Sequence, residues 1–300
     1  MLGVYDYAVK EYKDKKSGLC NWFLTPVITE TCDTALNDVS YTEAITPEHV
    51  IRGLSKANSD PVPEGCTGGD TGMICQGWKG GTGSSSRIVG SDEPDDMPSN
   101  DAQRLPNKAY TIAAHAQINY GSQRDLRIGG FPIGAKLLER NLTGIKPRVE
   151  AAAGEESMKQ AADTTVSAKD SPDGSIIVIL ATDCPMTPSQ LQRLAKRATV
   201  GLARTGGWGS NYSGDIFLAF STGTKIARTF QQRYKAPAVS LVAQVDDQAL
   251  NALFESAADA TEEAIYNAMC MAETTEGPDG LVVEALPLDV VREIMGDWTG

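Results

Sequence analysis

Residues 173–182 read Asp173-Gly174-Ser175-Ile176-Ile177-Val178-Ile179-Leu180-Ala181-Thr182, and the change of character inside them decides how the chain is read. From Ser175 onward the run is continuously apolar, the pattern of a strand buried on both faces. Just before it, Glu150–Gly174 is polar, rich in alanine and without an apolar face, which predicts a flexible connector. Connector and buried strand therefore meet at Gly174-Ser175. Toward the C-terminus, Thr187-Pro188-Ser189-Gln190 supplies an N-cap, an N1 proline and a capping-box glutamine. Leu191, Leu194, Ala195, Ala198 and Leu202 follow as one helical stripe. Strands are predicted at Asp215–Thr222, Ala238–Val245 and Leu281–Ala285, a long helix at Asp246–Glu273 and a short one at Pro287–Met295.

On the N-terminal side, Tyr110–Tyr120 and Leu126–Ile133 read as strands joined through a turn at Gly121-Ser122. Ser91–Lys108 reads as a polar surface loop. Between Gly65 and Gly83, eight of nineteen residues are glycine, which excludes regular helix there. Thr46-Pro47-Glu48-His49 carries a helix-start signature, Trp22–Ile28 suits a strand and Val4–Tyr12 a short helix. Strands and helices thus alternate in blocks rather than in strict βαβ units. An α/β fold of stacked sheets covered by helices fits that order better than a doubly wound parallel sheet.

The composition narrows the chemistry. A net charge of −12 without any basic cluster speaks against holding a nucleic-acid backbone. No apolar run is long enough to span a membrane, and the opening residues do not resemble a signal peptide. Six cysteines lie far apart with no CxxC pair, as expected of reduced thiols in a cytoplasmic protein. With only His49 and His115, a zinc site or a Ser-His-Asp triad is a poor fit, and neither a metal nor an organic cofactor is expected.

The glycine-rich segment lacks GxxxxGK[ST], and no GxGxxG lies between a strand and a helix, so it reads as a tight packed loop ahead of a nucleotide site. His115, among alanines in mid-strand, reads as structural rather than catalytic. The sequons at Asn141 and Asn211 read as accidental. Ser175 is different. If the peptide bond before it were cut, its hydroxyl and a free α-amine would share one residue. Such an amine, with a reference pKa of about 7.7–8.0, serves as a general base without any histidine.

The stretch from Gly174 to Thr222, which includes GWGSNYSGDIFLAFST, resembles the start of the β-chain in the DmpA-type aminopeptidases, which include the β-peptidyl aminopeptidases. Further blocks agree in order: ETCDTALNDVSY, PVPEGCTGGDTGMICQGWKGGTGSSSR, QINYGSQRDLRIGGFPIG and DGLVVEALPLD. The resemblance implies a four-layer αββα sandwich of the N-terminal nucleophile hydrolase type. It implies one domain made of two chains, 1–174 and 175–300, released by autoproteolysis between Gly174 and Ser175. Ser175 would be the nucleophile. Ser213 and Asp215 would match the family's Ser-Gly-acid pair near the nucleophile and its amine, Asn119 an oxyanion donor, and Tyr41 an active-site tyrosine. Read from the residues alone, Ser213 and Asp215 share one face of an extended segment by period two, while Ser-Gly-Asp by itself reads equally as a turn. The implied activity releases N-terminal residues from short peptides, amides or esters, in a homo-oligomer of processed units. The chain departs from the family pattern at Cys32, where an aromatic is usual. The family also carries a region ahead of the block that opens this chain, so a form restored with it is expected to be more stable and more active. The rival reading is a truncated, unprocessed homologue with a binding or assembly role.

Overall fold

A computed structural model describes residues 1–20, 22, 24–29, 31–38, 44–90, 108–146, 174–211, 213–225, 239, 241–278 and 280–298. Its strands are β1 Ile74–Cys75, β2 Trp78–Lys79, β3 Thr82–Val89, β4 Tyr110–Asn119, β5 Ile145–Lys146, β6 Ser175–Thr182, β7 Ile216–Ser221, β8 Thr275–Glu276 and β9 Val282–Val283. Its α-helices are α1 Leu2–Tyr12, α2 Pro47–Ser55, α3 Ile133–Glu139, α4 Pro188–Ala195, α5 Ala198–Arg204, α6 Leu250–Cys270 and α7 Leu288–Trp298. The connector read at Glu150–Gly174 lies outside the described residues up to position 173. So do the loop at 91–107 and Tyr41.

The main sheet has the order β3-β4-β6-β7. β4 runs antiparallel to both β3 and β6, whereas β6 and β7 are parallel, so the chain must cross between them through α4 and α5. Alternation sorts the side chains. Ile112, Ala114, Ala116 and Ile118 of β4 and Ile176, Val178 and Leu180 of β6 are buried on one face. α6 covers that face with a small-residue stripe of Ala257, Ala260, Ala264 and Ala268, all fully buried. The helix comes so close to β3 that a Cβ on Gly83 would lie 1.9 Å from the Ala264 carbonyl oxygen. The opposite face holds Ser175 and Asn119, paired across the ladder, and also Ile216, Leu218 and Phe220, which stay 43, 39 and 44% exposed.

The glycine-rich segment is indeed tightly packed. β1 and β2 form a hairpin around Gln76 and Gly77, both at positive φ (47° and 75°) as a two-residue turn of this kind requires. Met73, Cys75, Trp78 and Lys79 are buried there. The Lys79 N–H donates to Glu284 O at 2.8 Å, which joins the hairpin to the small sheet β5-β9-β8.

Several local expectations are corrected. Residues 126–133 do not form a strand: Ile128 and Phe131 exchange 3.0 Å backbone bonds around Gly129 and Gly130, both at positive φ, and α3 follows. Among the described residues of 22–28 and 238–245 there is no strand either. Polar groups tie both segments sideways instead. The Tyr5 hydroxyl donates to Leu24 O, and Trp22 Nε1 donates to Tyr12 O. The Val245 N–H donates to Pro185 O, and its carbonyl accepts from Gln190 Nε2. The stripe from Leu191 to Leu202 is two helices, α4 and α5, with a tighter turn at Arg197, whose N–H donates to Leu194 O at 2.8 Å. The long helix is likewise shorter than read, a 3₁₀ turn at Asp247–Ala249 leading into α6. β3 carries no apolar alternation. Its inward Ser85 and Arg87 meet Glu263 of α6, so a polar sequence forms an edge strand.

Candidate active site

His49 Nδ1 closes the capping box of α2 with Thr46, and burial pushes the His115 pKa down in mid-β4. The site builds instead around the first residue of β6. Ser175 is the Cα partner of Asn119 at the end of the β4–β6 ladder. Only glycine fits before it, because a Cβ on Gly174 would lie 1.7 Å from the Asn119 carbonyl oxygen.

The segment entering β7 supplies the rest. Ser213 Oγ lies 2.8 Å from Gly174 O and 2.5 Å from Asp215 Oδ1, both within donating reach of its single proton. The shared face read from period two is therefore realised as a direct hydrogen bond. Between them, the Gly214 N–H donates to Ser175 Oγ at 3.0 Å. The carbonyl oxygen of Gly174 and the hydroxyl oxygen of Ser175 thus each have a polar neighbour from this one segment, the Ser213 hydroxyl and the Gly214 N–H. Asn119 Nδ2 donates to Cys32 O at 2.7 Å, which uses one of its two amide hydrogens and fixes the plane of the group. Gly174, Ser175, Ser213, Asp215 and Asn119 accordingly converge, while Tyr41 is outside the described residues.

A shallow cleft, open to solvent, lies against the Ser213–Asp215 pair and is lined also by Tyr120, Leu202, Trp208 and Ser210. Trp208 Nε1 donates to Asp125 Oδ2 at 3.2 Å, and burial working to raise the Asp125 pKa is outweighed by hydrogen bonds from Trp208, Ser122 and Arg124, which hold it below the usual range. Sequence reading missed Trp208 and the Cys32 carbonyl. The tryptophan stood inside a quoted motif, but nothing in the motif assigned it to a wall. Among the described residues, no group of His, Cys, Asp and Glu could hold a metal ion, and no helix is long and apolar enough to cross a membrane.

The chain has relatives among known proteins. The β-peptidyl aminopeptidase BapA of Sphingosinicella microcystinivorans is 40% identical over 274 residues, 91% of this chain and 61% of that protein. BapA of Sphingosinicella xenopeptidilytica is 35% identical over 91% of this chain and 60% of its own length. The chain therefore spans about 60% of the curated relatives it matches. Among solved structures, the L-aminopeptidase D-Ala-esterase/amidase of Ochrobactrum anthropi superposes with a TM-score of 0.73 at 34% identity, over 99% of this chain and 70% of that one. That protein is described as a prototype for the serine aminopeptidases and a new variant among the Ntn hydrolase fold. A Burkholderia sp. β-aminopeptidase gives 0.70 at 35% identity, over 97% of this chain and 70% of its own. The α/β fold is thus of the Ntn hydrolase type, as the resemblance implied. The model of Peptidase family S58 matches residues 1–283, so the chain belongs to peptidase family S58.

Proposed function

We propose that this chain is a serine-type aminopeptidase and amidase that activates itself by cleaving between Gly174 and Ser175. One observation carries the reading: the Ser213 hydroxyl lies on the carbonyl oxygen that self-cleavage would polarise, and the Gly214 N–H on the oxygen that would attack its carbon. Ser175 Oγ attacks the Gly174 carbonyl carbon while the Ser213 hydroxyl draws charge onto its oxygen. The Gly174–Ser175 C–N bond then breaks, the Oγ proton ends on the departing nitrogen, and an ester replaces the amide. Water hydrolyses that ester and leaves a Gly174 carboxylate and a free Ser175 α-amine.

The amine then takes the place a histidine would fill. It removes the Oγ proton as Ser175 attacks the substrate carbonyl and returns it to the leaving amine, and water releases the acyl group. Asp215, through Ser213, keeps a negative charge beside this α-ammonium. The Asn119 amide suits the oxyanion because it stays neutral while negative charge develops. The relatives' names point to peptides, amides or esters as substrates; short ones, and homo-oligomers of processed units, complete the proposal.

Intact mass spectrometry tests the proposal. In proportion to residue count, 31.9 kDa divides at Gly174 into fragments of roughly 18 and 13 kDa, the smaller beginning Ser-Ile-Ile-Val. A chain that stays whole through prolonged incubation, and hydrolyses no amino-acid p-nitroanilide, overturns it in favour of a binding or assembly role.

A further inference from the structure

A buried acid stands one layer behind Asn119. Asp70, in a 3₁₀ turn of the glycine-rich segment, is completely buried, yet no cation is within salt-bridge distance of its carboxyl group among the described residues. The equally buried Lys79 ammonium turns to main-chain oxygens instead, 2.7 Å from Gly80 O and 3.4 Å from Asp70 O. Burial pushes the Asp70 carboxyl up to about 8, with hydrogen bonds from Ile118 and Thr82 and the Lys79 charge opposing. Such a group is costly to keep in a core unless its contacts serve something.

Those contacts form a ring. Asp70 Oδ2 accepts from the Ile118 N–H at 3.2 Å and from Thr82 Oγ1 at 3.4 Å. Its Oδ1 bonds Thr31 Oγ1 at 3.5 Å. Ile118 is the residue before Asn119, and Thr31 is the residue before Cys32, whose carbonyl holds the Asn119 side chain. One carboxyl group therefore ties the main chain entering Asn119 to the segment that fixes its amide.

We propose that Asp70 is a positioning residue for the reaction, holding the second Asn119 amide hydrogen toward the oxyanion by locking Ile118 and Thr31 together. The proposal rests on the reading of Asn119 as oxyanion donor. Displacement of a reacting group by about 1 Å costs up to roughly 10²-fold in rate, so looser positioning is visible in kcat without touching substrate affinity.

The test is steady-state hydrolysis of an amino-acid p-nitroanilide by self-processed protein, with circular dichroism as the folding check. Asn119→Ala is expected to lower kcat by about 10²-fold. Asp70→Ala should lower kcat by about tenfold at unchanged KM, and should cost nothing further in the Asn119→Ala background. Asp70→Asn, which still accepts from Ile118 and still bonds Thr31, should keep nearly full kcat. Wild-type kcat in Asp70→Ala, or losses that multiply in the double variant, overturns the positioning role while leaving Asn119 in place. Wild-type kcat in Asn119→Ala instead removes the oxyanion reading itself. Should Asp70→Ala fail to fold, Thr31→Val cuts one arm of the ring alone. A kcat loss that vanishes in the Asn119→Ala background supports the proposal, and wild-type kcat in Thr31→Val overturns it.

Discussion

The two faces of the β3-β4-β6-β7 sheet are built from the same strands and treated differently. Against α6 the central strands β4 and β6 present mostly small or aliphatic buried side chains, and glycine at position 83 lets helix and strand approach to contact. Only β3, farther along, adds polar Ser85 and Arg87 against Glu263. On the other face the same strands present Ser175, Asn119 and His115, with Ile216, Leu218 and Phe220 partly open. Packing governs the first face and hydrogen-bond geometry the second. Neighbours in β6 face opposite ways: Ser175 meets the segment of Ser213 and Asp215, and Ile176 is core.

Substitutions can break this contrast. The largest effect is expected from Ser175→Ala, which should remain a single chain by intact mass and lose turnover by on the order of 10⁶-fold. A cut at the same bond in that variant removes self-cleavage from the account. Next comes Gly174→Ala, whose new methyl meets the Asn119 carbonyl and shifts the scissile bond. Fragment formation followed by gel should slow by roughly 10²-fold or more. Gly83→Ala is its counterpart on the core face: it should lower the melting temperature while folded molecules still process at the normal rate. Asp215→Asn and Ser213→Ala, tested on processed protein, should each cost on the order of 10²-fold in p-nitroanilide turnover with native circular dichroism. Full activity in both would make the pair structural. The smallest effects compare packing directly. Leu180→Ala, fully buried, should cost about 2–5 kcal/mol in denaturant melts, and Leu218→Ala, 39% exposed, about 1 kcal/mol or less. Equal losses would mean that the second face is as sealed as the first.

What was legible in the sequence follows the same division. β6 and the α4 capping box were readable because a continuous apolar run and a Thr-Pro-Ser-Gln signature are local. Thr187 Oγ1 does accept from Gln190 N, and Gln190 Oε1 from Thr187 N. The reading of β6 as buried on both faces holds for Ile177, 3% exposed, but not for Ile179 or Ala181. β3 was invisible because its inward residues are Gly83, Ser85 and Arg87, whose partners lie far along the chain in α6. Residues 126–133 and 238–245 are apolar enough to be strands, yet a glycine pair turns the first back and side-chain bonds tether the second. That Ser175 would lie beside Ser213 and Asp215 was expected from the resemblance, and period two put only the latter pair on one face. The Asn119–Cys32 bond and the Asp70 ring span separations that no local pattern encodes.

The position of β6 within the sheet would have a consequence for a molecule cut before Ser175. Its neighbour β4 belongs to the stretch before Gly174 and its neighbour β7 to the stretch after it, while α6 from the second stretch lies over β3 and β4 from the first. Two fragments made by that cut would share one sheet and one core, so they would travel together until the core itself opens. Folding would meanwhile change its molecularity. An intact chain would bring both stretches to the sheet by itself, whereas a cleaved pair, once unfolded, would have to find each other again, and its recovery would depend on protein concentration. Self-cleavage would then set a direction in time: the architecture is assembled once as a single chain, and afterwards kept by the slowness of its unfolding.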